Sequence, residues 1–416
     1  MRSLAVGAIL AVIGSVVCFS AARIGEGAEA PDLSLKESVA ATLPSDAASI
    51  AVSTDLQRIA YVAPRDAGQC VVVDGKAGRT YEQVYGLTVS PNGKHFAYAA
   101  AQNGSTVLVY DGVEKREVDG RIGIVFSRDD QRLAYTVFQP GAGQPPSKTG
   151  PHGKARVVID GTDGREYDWV GHVTFSQDGR RVAYTAISDQ RGVVVVDGVE
   201  GQPFDSSFER PGGYPTFRPN GKLAYAQQRR KRTVGGAIFK KAGMADDYAS
   251  RAIIGSIEGK EYSEVHDVAF SPDGSRFGYV AARISGRDRK EQAVVDGLEN
   301  REYGEVRSLA FSPNGRQVAY VARRGEESIV VIGGAERYTF ATIGDIFFTP
   351  DGEHLAFWAG SGPDWFLVVD GVHAGRWDSP ATRALAFPQA GTIRALARRG
   401  EKLVDVKLTI RGAGGR

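Results

Sequence analysis

A short pattern that recurs about nine times along the chain constrains the fold more than any other feature. Its best-formed copy is Val268–Ala281, VAFSPDGSRFGYVA, in which an apolar run, a Ser-Pro-Asp-Gly turn and a second apolar run follow one another. Further copies begin at Val89, Phe175, Phe311 and Phe348, with most copies spaced by about 40 residues. A repeat of this length with strand patterning is typical of a β-propeller or another β array.

Each copy is a hairpin, and a second hairpin follows it. In the first hairpin Pro272 fixes φ at the first central position of the turn, and Asp273 is compatible with the second. Gly274 takes positive φ without steric cost. The second hairpin turns at Asp-Gly, as in VVVDG at Val71 and LVVDG at Leu367, which is a strong hairpin signal. Two hairpins make a unit of four short strands, which is the size of a propeller blade.

The chain contains eight complete units and one incomplete unit. Eight complete units run from about Ser49 to Pro380, and a ninth unit that ends at Ile410 has only three strands. The segment Leu33–Val39 could supply the missing strand, so that the two chain ends pair and leave no open edge. We predict an all-β fold, a single propeller of eight or nine four-stranded blades, and leave the two numbers open.

The N-terminal residues have the form of a secretory signal peptide. Arg2 precedes the apolar run Leu4–Phe19, and Ala28–Ala30 offers a small-x-small cleavage site. The run Leu4–Ala22 is also just long enough to span a bilayer, so an uncleaved anchor is the alternative. We therefore predict a periplasmic or secreted protein that contacts the membrane only through an uncleaved N-terminus.

These patterns divide the chain into four parts. We assign residues 1–30 to the signal peptide or anchor, 31–45 to a segment with the closing strand, 46–411 to the propeller and 412–416 to a tail. Removal of the first part would leave Cys70 as the remaining cysteine, which excludes an internal disulfide and favours a buried, inert thiol. The formal net charge of +2 gives no reason to expect a nucleic-acid partner, and we expect a monomer without a cofactor.

The units differ mainly in one set of loops. Propeller topology places the first-to-second and third-to-fourth turns on one face, the turn face, and the second-to-third loops on the other, the insertion face. Long second-to-third loops occupy Gln139–Arg156, Gln227–Ser250 and Arg283–Glu291. Insertions on one face of a repeat array usually mark a binding face, so we predict that the insertion face binds a ligand or partner.

One of these loops carries a run of four cations, Arg229, Arg230, Lys231 and Arg232. Such a run favours an acidic partner, either a protein or an acidic polymer of the cell envelope. The alternative interpretation is a solvated loop without a binding role.

A second set of candidates occupies a single repeat position, four residues before the aligned turn position. His172, Tyr214, Asp267 and Asp345 stand there in four of the units and would ring the mouth of the central channel. We predict that they bind a ligand. His172, Asp267 and Asp345 could form a polar or metal-binding cluster, or they could be solvated loop ends, and we assign no metal ligand.

Known catalytic motifs are missing from the sequence. It contains no G-x-S-x-G elbow, no G-x-x-x-x-G-K-[ST] loop, no H-E-x-x-H and no calcium-binding loop of the D-x-[DN]-x-[DN]-G type. His95 and His354 begin second strands, where we expect solvated side chains. We therefore assign no catalytic residue.

The repeats FSPDG at Phe270, FSPNG at Phe311 and FTPDG at Phe348 resemble the WD40-like (PD40) repeats of the TolB family and the propellers of prolyl oligopeptidase-type peptidases. The resemblance implies a propeller and a periplasmic scaffold, or a propeller module attached to an enzyme. We interpret the chain as an exported, non-catalytic scaffold that binds through its insertion face. The alternative is a lactonase-like or lyase-like propeller enzyme that acts at the channel mouth.

Overall fold

The computed structural model describes residues 30–44, 47–66, 68–118, 121–140, 153–189, 191–206, 215–230 and 248–411. These residues form nine antiparallel sheets, which are the blades of one β-propeller. The number of blades, which the sequence left at eight or nine, is therefore nine. They contain no helix, and therefore none that is long and apolar enough to cross a membrane. The predicted signal segment, except residue 30, and the tail 412–416 lie outside the described residues.

The strands follow in chain order, four to a blade, with short fifth strands in blades four and nine. Strand β1 spans Asp32–Thr42. The strands of blades one to three are β2 Ala48–Val52, β3 Ile59–Arg65, β4 Gly68–Val73, β5 Lys76–Tyr81, β6 Gln83–Val89, β7 Phe96–Gln102, β8 Ser105–Tyr110, β9 Val113–Val118, β10 Arg121–Phe126, β11 Leu133–Pro140, β12 Gly153–Ile159 and β13 Thr162–Asp163. Those of blades four to six are β14 Trp169–Phe175, β15 Val182–Ser188, β16 Arg191–Val196, β17 Val199–Glu200, β18 Phe204–Asp205, β19 Thr216–Phe217, β20 Leu223–Arg230, β21 Tyr248–Ile254, β22 Ile257–Glu258, β23 Glu264–Phe270, β24 Phe277–Ser285, β25 Asp288–Val295 and β26 Leu298–Glu299. Those of blades seven to nine are β27 Glu305–Phe311, β28 Val318–Arg324, β29 Glu327–Ile332, β30 Ala335–Phe340, β31 Thr342–Phe348, β32 Leu355–Ser361, β33 Asp364–Val369, β34 Val372–Trp377, β35 Ser379–Pro380, β36 Ala386–Gln389, β37 Thr392–Arg399 and β38 Lys402–Arg411.

The two ends of the chain close the ring. Strand β1 pairs antiparallel with β38, from Asp32 opposite Arg411 to Thr42 opposite Lys402. It thereby becomes the fourth strand of blade nine, beside β36, β37 and β38. The predicted closing strand is confirmed, and the pairing covers the edge that β38 would otherwise expose.

Buried apolar clusters lie between neighbouring blades. Each of eight such clusters combines residues of two adjacent blades; the one between blades six and seven, for example, joins Val280 and Ala293 to Tyr320 and Val331. Because every blade is flanked on both faces, its middle strands are rich in small and β-branched residues. Phe270, in the innermost strand of blade six, is half-buried against the cluster between blades five and six.

The Ser-Pro-Asp-Gly turn is stabilised by its own side chains. The buried Ser271 hydroxyl donates to Asp273 at 2.5 Å and accepts the backbone N–H of Arg276 at 2.9 Å. Gly274 has φ +67°, which a glycine adopts without strain. This turn is therefore structural, as its uniform sequence predicts.

The Asp-Gly turn does more than reverse the chain. Asp296, at φ +51°, accepts the backbone N–H of Phe277 and the Nε of Arg276. The Arg276 guanidinium also donates to the carbonyls of Gly315 and Arg316 in the next blade, at 3.0 Å each. The two turns of one blade and the turn of the next are thus joined on the turn face.

The same contact recurs around the ring with histidine in place of arginine. His95 pairs with Asp111 at 2.7 Å and His354 with Asp370 at 2.6 Å. The hydrogen bond with Asp370 raises the pKa of His354. The expectation of solvated histidines is therefore wrong for His354, which is 18% exposed, whereas His95 remains 33% exposed; both imidazoles bind the Asp of the Asp-Gly turn.

Candidate functional site at the channel mouth

Three of the four predicted channel-mouth residues, His172, Asp267 and Asp345, lie at a β-bulge of the innermost strand of their blade. In blade six the pairing of β23 with β24 shifts between His266 and Ala269, and Asp267 lies in the bulge at φ +50°. Ser308 has φ +56° at the same place in blade seven, and Gly86 has φ +65° in blade two. Glycine takes this conformation without cost, whereas other residues at positive φ are strained, and such strain clusters at functional sites. A bulge also re-aims a side chain locally.

A cavity of about 1060 Å³ lies beside these bulges, at the entrance ends of the inner strands of blades six to nine. We call it the mouth cleft, defined by the lining residues Asp267, Arg307, Ser308, Asp345, Trp365 and Arg383. Two of the four predicted ligand-binding residues, Asp267 and Asp345, therefore share one cavity.

The other two predicted residues are placed elsewhere. His172 lies in the bulge of blade four at φ +53°, with its ring 5.7 Å from that of Trp169, and it does not line the mouth cleft. Tyr214 lies outside the described residues. The three residues of the predicted polar or metal-binding cluster are therefore not brought together, and the described part of the chain contains no group of three His, Cys, Asp or Glu side chains that could hold a metal ion.

Arg307 forms one wall of the mouth cleft by joining two blades. Its guanidinium donates to the backbone carbonyls of Ile343 and Gly344 in blade eight, the latter at 3.3 Å. Its Nε is 3.6 Å from a carboxylate oxygen of Glu305. The donors of Arg307 are largely used within the protein, so this residue positions the cleft wall.

Ser308 and Asp345 are joined across the same two blades. The Ser308 hydroxyl donates to Oδ1 of Asp345 at 2.8 Å, and Nη1 of Arg307 lies 3.9 Å from the same oxygen. One carboxylate oxygen of Asp345 is thereby fixed, and the carboxylate retains acceptor capacity at its second oxygen.

A buried ionic network lies behind Asp267. His266 is 3.6 Å from the carboxylate of Asp267 on one side and 3.6 Å from that of Glu291 on the other. Glu291 is only 3% exposed; it accepts the backbone N–H of Val306 in blade seven at 2.7 Å and pairs with Arg289 at 2.7 Å. A buried carboxylate is tolerated only with such partners.

The network shifts both titrating groups toward their charged forms. Burial alone would lower the pKa of His266, but the contacts with Asp267 and Glu291 outweigh it and raise the pKa to about 9. Burial alone would raise the pKa of Glu291, but His266, the Val306 N–H and Arg289 outweigh it and lower the pKa to about 2. Asp267 therefore stands beside a protonated histidine at neutral pH.

Two tryptophans from blade eight also line the mouth cleft. Trp365 is half-buried, and Trp358 is 1% exposed with an indole N–H that has no hydrogen-bond partner among the described residues. Sequence reasoning missed both of them, as well as Arg307 and the network around His266. Trp365 carries a signal in the sequence, since DWFLVV has an aromatic residue where VVVDG-type strands have small or polar ones.

The predicted basic run is described only in part. Arg229 is exposed near the end of β20, with Nη1 3.8 Å from Glu261. The side chain of Arg230 and the whole of Lys231 and Arg232 lie outside the described residues. Cys70 is buried, as predicted.

Comparison with known proteins finds similarity to solved structures only at the level of the fold. No protein-family model matches the sequence, and no characterised protein matches it significantly. Among solved structures, the chain is similar to TolB from Acinetobacter baumannii (13% identity, 83% of this chain and 78% of that one, TM-score 0.31). It is also similar to the Dos1 propeller (8%, 90% and 94%, 0.39) and to the propeller domain of the Trilobed protease from Pyrococcus furiosus (12%, 70% and 94%, 0.36). At these values the similarities carry no argument about function.

Proposed function

We propose that this chain is an exported, non-catalytic propeller that binds a ligand in the mouth cleft. The observation that carries the proposal is the cleft itself, a cavity of about 1060 Å³ whose lining combines apolar side chains with polar ones such as Asp267, Ser308 and Asp345. A large concave site with a few convergent polar groups is the usual form of a binding site. Export is proposed from the apolar N-terminal run alone.

The backbone at the cleft supports a role beyond folding. Asp267 and Ser308 hold positive φ at about 1–3 kcal/mol each, although Gly86 shows that the same bulge forms with glycine. Positive φ alone does not mark a site, because Asp296 adopts it in a structural turn, but Asp267 and Ser308 combine it with a position in the cavity lining, which favours binding.

A blocking variant tests the proposal. Thr342 is exposed at the cleft, whereas Thr339 is exposed on β30, the outermost strand of blade seven, so Thr342→Trp and Thr339→Trp form a matched pair. We expect the wild type and Thr339→Trp to retain the same molecules from an envelope extract, identified by mass spectrometry, and Thr342→Trp to lose them. Equal retention by both variants, or no reproducible retention by the wild type, contradicts the proposal.

The acidic partner of the basic run remains a separate prediction. Its contact would involve Arg229, which is exposed and only loosely paired with Glu261. Binding that weakens steeply with added salt supports it, because exposed charge interactions are screened. Binding that is insensitive to salt contradicts it.

A further inference from the structure

The charges that face the mouth cleft are balanced. Asp345 is held by the Ser308 hydroxyl and lies near Arg307, and Glu305 lies 3.6 Å from Arg307. Asp267 lies 3.6 Å from His266, which is protonated at neutral pH. Each carboxylate that lines the cleft thus has a cationic group close by.

A strongly charged ligand does not suit this balance. An anion would meet the carboxylates of Asp267, Glu305 and Asp345, while the Arg307 donors are used on backbone carbonyls. A cation would meet Arg307 and Arg383, and the carboxylate of Asp267 already lies beside His266. Like-charge contacts of this kind disfavour binding, so the balance favours a neutral ligand.

The groups that remain suit a ligand with many hydroxyls. Ionised carboxylates are hydrogen-bond acceptors, and the exposed Thr342 hydroxyl can both donate and accept. The half-buried ring of Trp365 offers an apolar surface at the cleft. Hydroxyls on one edge and an apolar C–H face on another are the combination that a sugar ring presents.

We propose that the mouth cleft binds a neutral oligosaccharide. The cleft volume of about 1060 Å³ lies just above the roughly 300–1,000 Å³ of small-molecule sites, which is room for more than one sugar ring. Carboxylates of blades six and eight accept from sugar hydroxyls, and Trp365 packs against a ring face. This inference rests on the proposed function and names the class of its ligand.

Tryptophan resonances provide a direct readout. The chain has four tryptophans, Trp169, Trp358, Trp365 and Trp377, so 5-fluorotryptophan labelling gives four ¹⁹F signals that single Trp→Phe variants assign. Maltotriose, cellotriose and N-acetylchitotriose are titrated as neutral probes, with spermidine and citrate as charged ones. We expect at least one trisaccharide to shift the Trp365 signal saturably and to leave the Trp169 signal of blade four unchanged.

Matched carboxylate variants locate the binding. Asp345→Ala is expected to weaken the trisaccharide at least about tenfold, because a hydrogen bond to a charged group is lost. Asp288→Ala, which removes a carboxylate that is 70% exposed at the start of β25, is expected to leave binding unchanged. Urea midpoints of both variants show that they remain folded.

Two results overturn the inference. One is the lack of a saturable Trp365 shift with every trisaccharide up to about 10 mM. The other is tighter binding of spermidine or citrate than of any trisaccharide. If molecules retained from envelope extract nevertheless shift the Trp365 signal, the inference fails and the proposed function stands; if Thr342→Trp retains those molecules, the proposed function fails as well.

Discussion

The ionic network behind the mouth cleft predicts a loss of stability in alkaline solution. The pKa of His266 is raised from 6.5 to about 9 in the folded protein, so the folded state holds this proton more tightly than the unfolded state does. The contribution to stability is therefore complete below pH 6.5 and is lost as the pH rises through about 9. One pKa unit corresponds to about 1.36 kcal/mol, which makes the loss about 3 kcal/mol.

Glu291 determines the pH at which the same network loses its stabilising effect in acid. Its pKa is lowered from 4.5 to about 2, so its contribution is present above pH 4.5 and is lost as the pH falls through about 2. The interaction between His266 and Glu291 contributes to both pKa shifts, so the two contributions to the free energy of unfolding are not added. The other charged groups of the network are Glu264, Asp267 and Arg289.

The assay is the urea unfolding free energy as a function of pH for the wild type, His266→Gln and Glu291→Gln. His266→Gln removes the titrating group, and Glu291→Gln removes one of the charges that raise its pKa while leaving an acceptor for the Val306 N–H. The wild type is expected to lose about 3 kcal/mol between pH 6.5 and about 9 relative to His266→Gln, with Glu291→Gln in between. Parallel profiles for the wild type and His266→Gln refute the reasoning.

Two further predictions concern contacts between blades, both read from urea midpoints. Arg276→Ala removes the hydrogen bonds to the next blade and should lower the free energy of unfolding by about 1–2 kcal/mol. Its control is Arg316→Ala, which removes an exposed side chain and should lower it by less than about 0.5 kcal/mol. Equal losses for the two variants contradict the role of Arg276. Tyr303→Phe removes the hydrogen bond from its hydroxyl to Glu336 and should cost about 1 kcal/mol. Tyr320→Phe should be neutral or stabilising, because the buried hydroxyl of Tyr320 has no hydrogen-bond partner within the described part of the chain. A larger loss for Tyr320→Phe contradicts the second pair.

The fold was largely predictable because it depends on local signals repeated many times. The turn at Pro272–Gly274 and the Asp-Gly hairpins are set by backbone preferences of single residues. The sequence did not decide between eight and nine blades, because the first strand of the ninth blade, β36, is short and its fourth strand, β1, comes from the other end of the chain. Pairing between distant segments has no local signal.

The candidate site was predictable only in part. Asp267 and Asp345 were found because they differ from their equivalents at one repeat position. Arg307 was missed because its partners are backbone carbonyls in another blade, which no alignment of side chains shows. The partners of His95 and His354 were missed although each histidine lies 16 residues before the Asp it binds, a spacing that the pairs Arg58–Asp74 and Arg181–Asp197 share.

Hydrogen exchange is the most direct test of the claim that function lies at the mouth cleft and not on the turn face. Exchange is measured by mass spectrometry with and without the molecules retained from envelope extract, and β27 is compared with the turn at Ser271–Arg276. Slower exchange is predicted for β27 and for the entrance of β31, with no change in the turn. Protection confined to the turn face, or none in β27 and β31, would contradict the account.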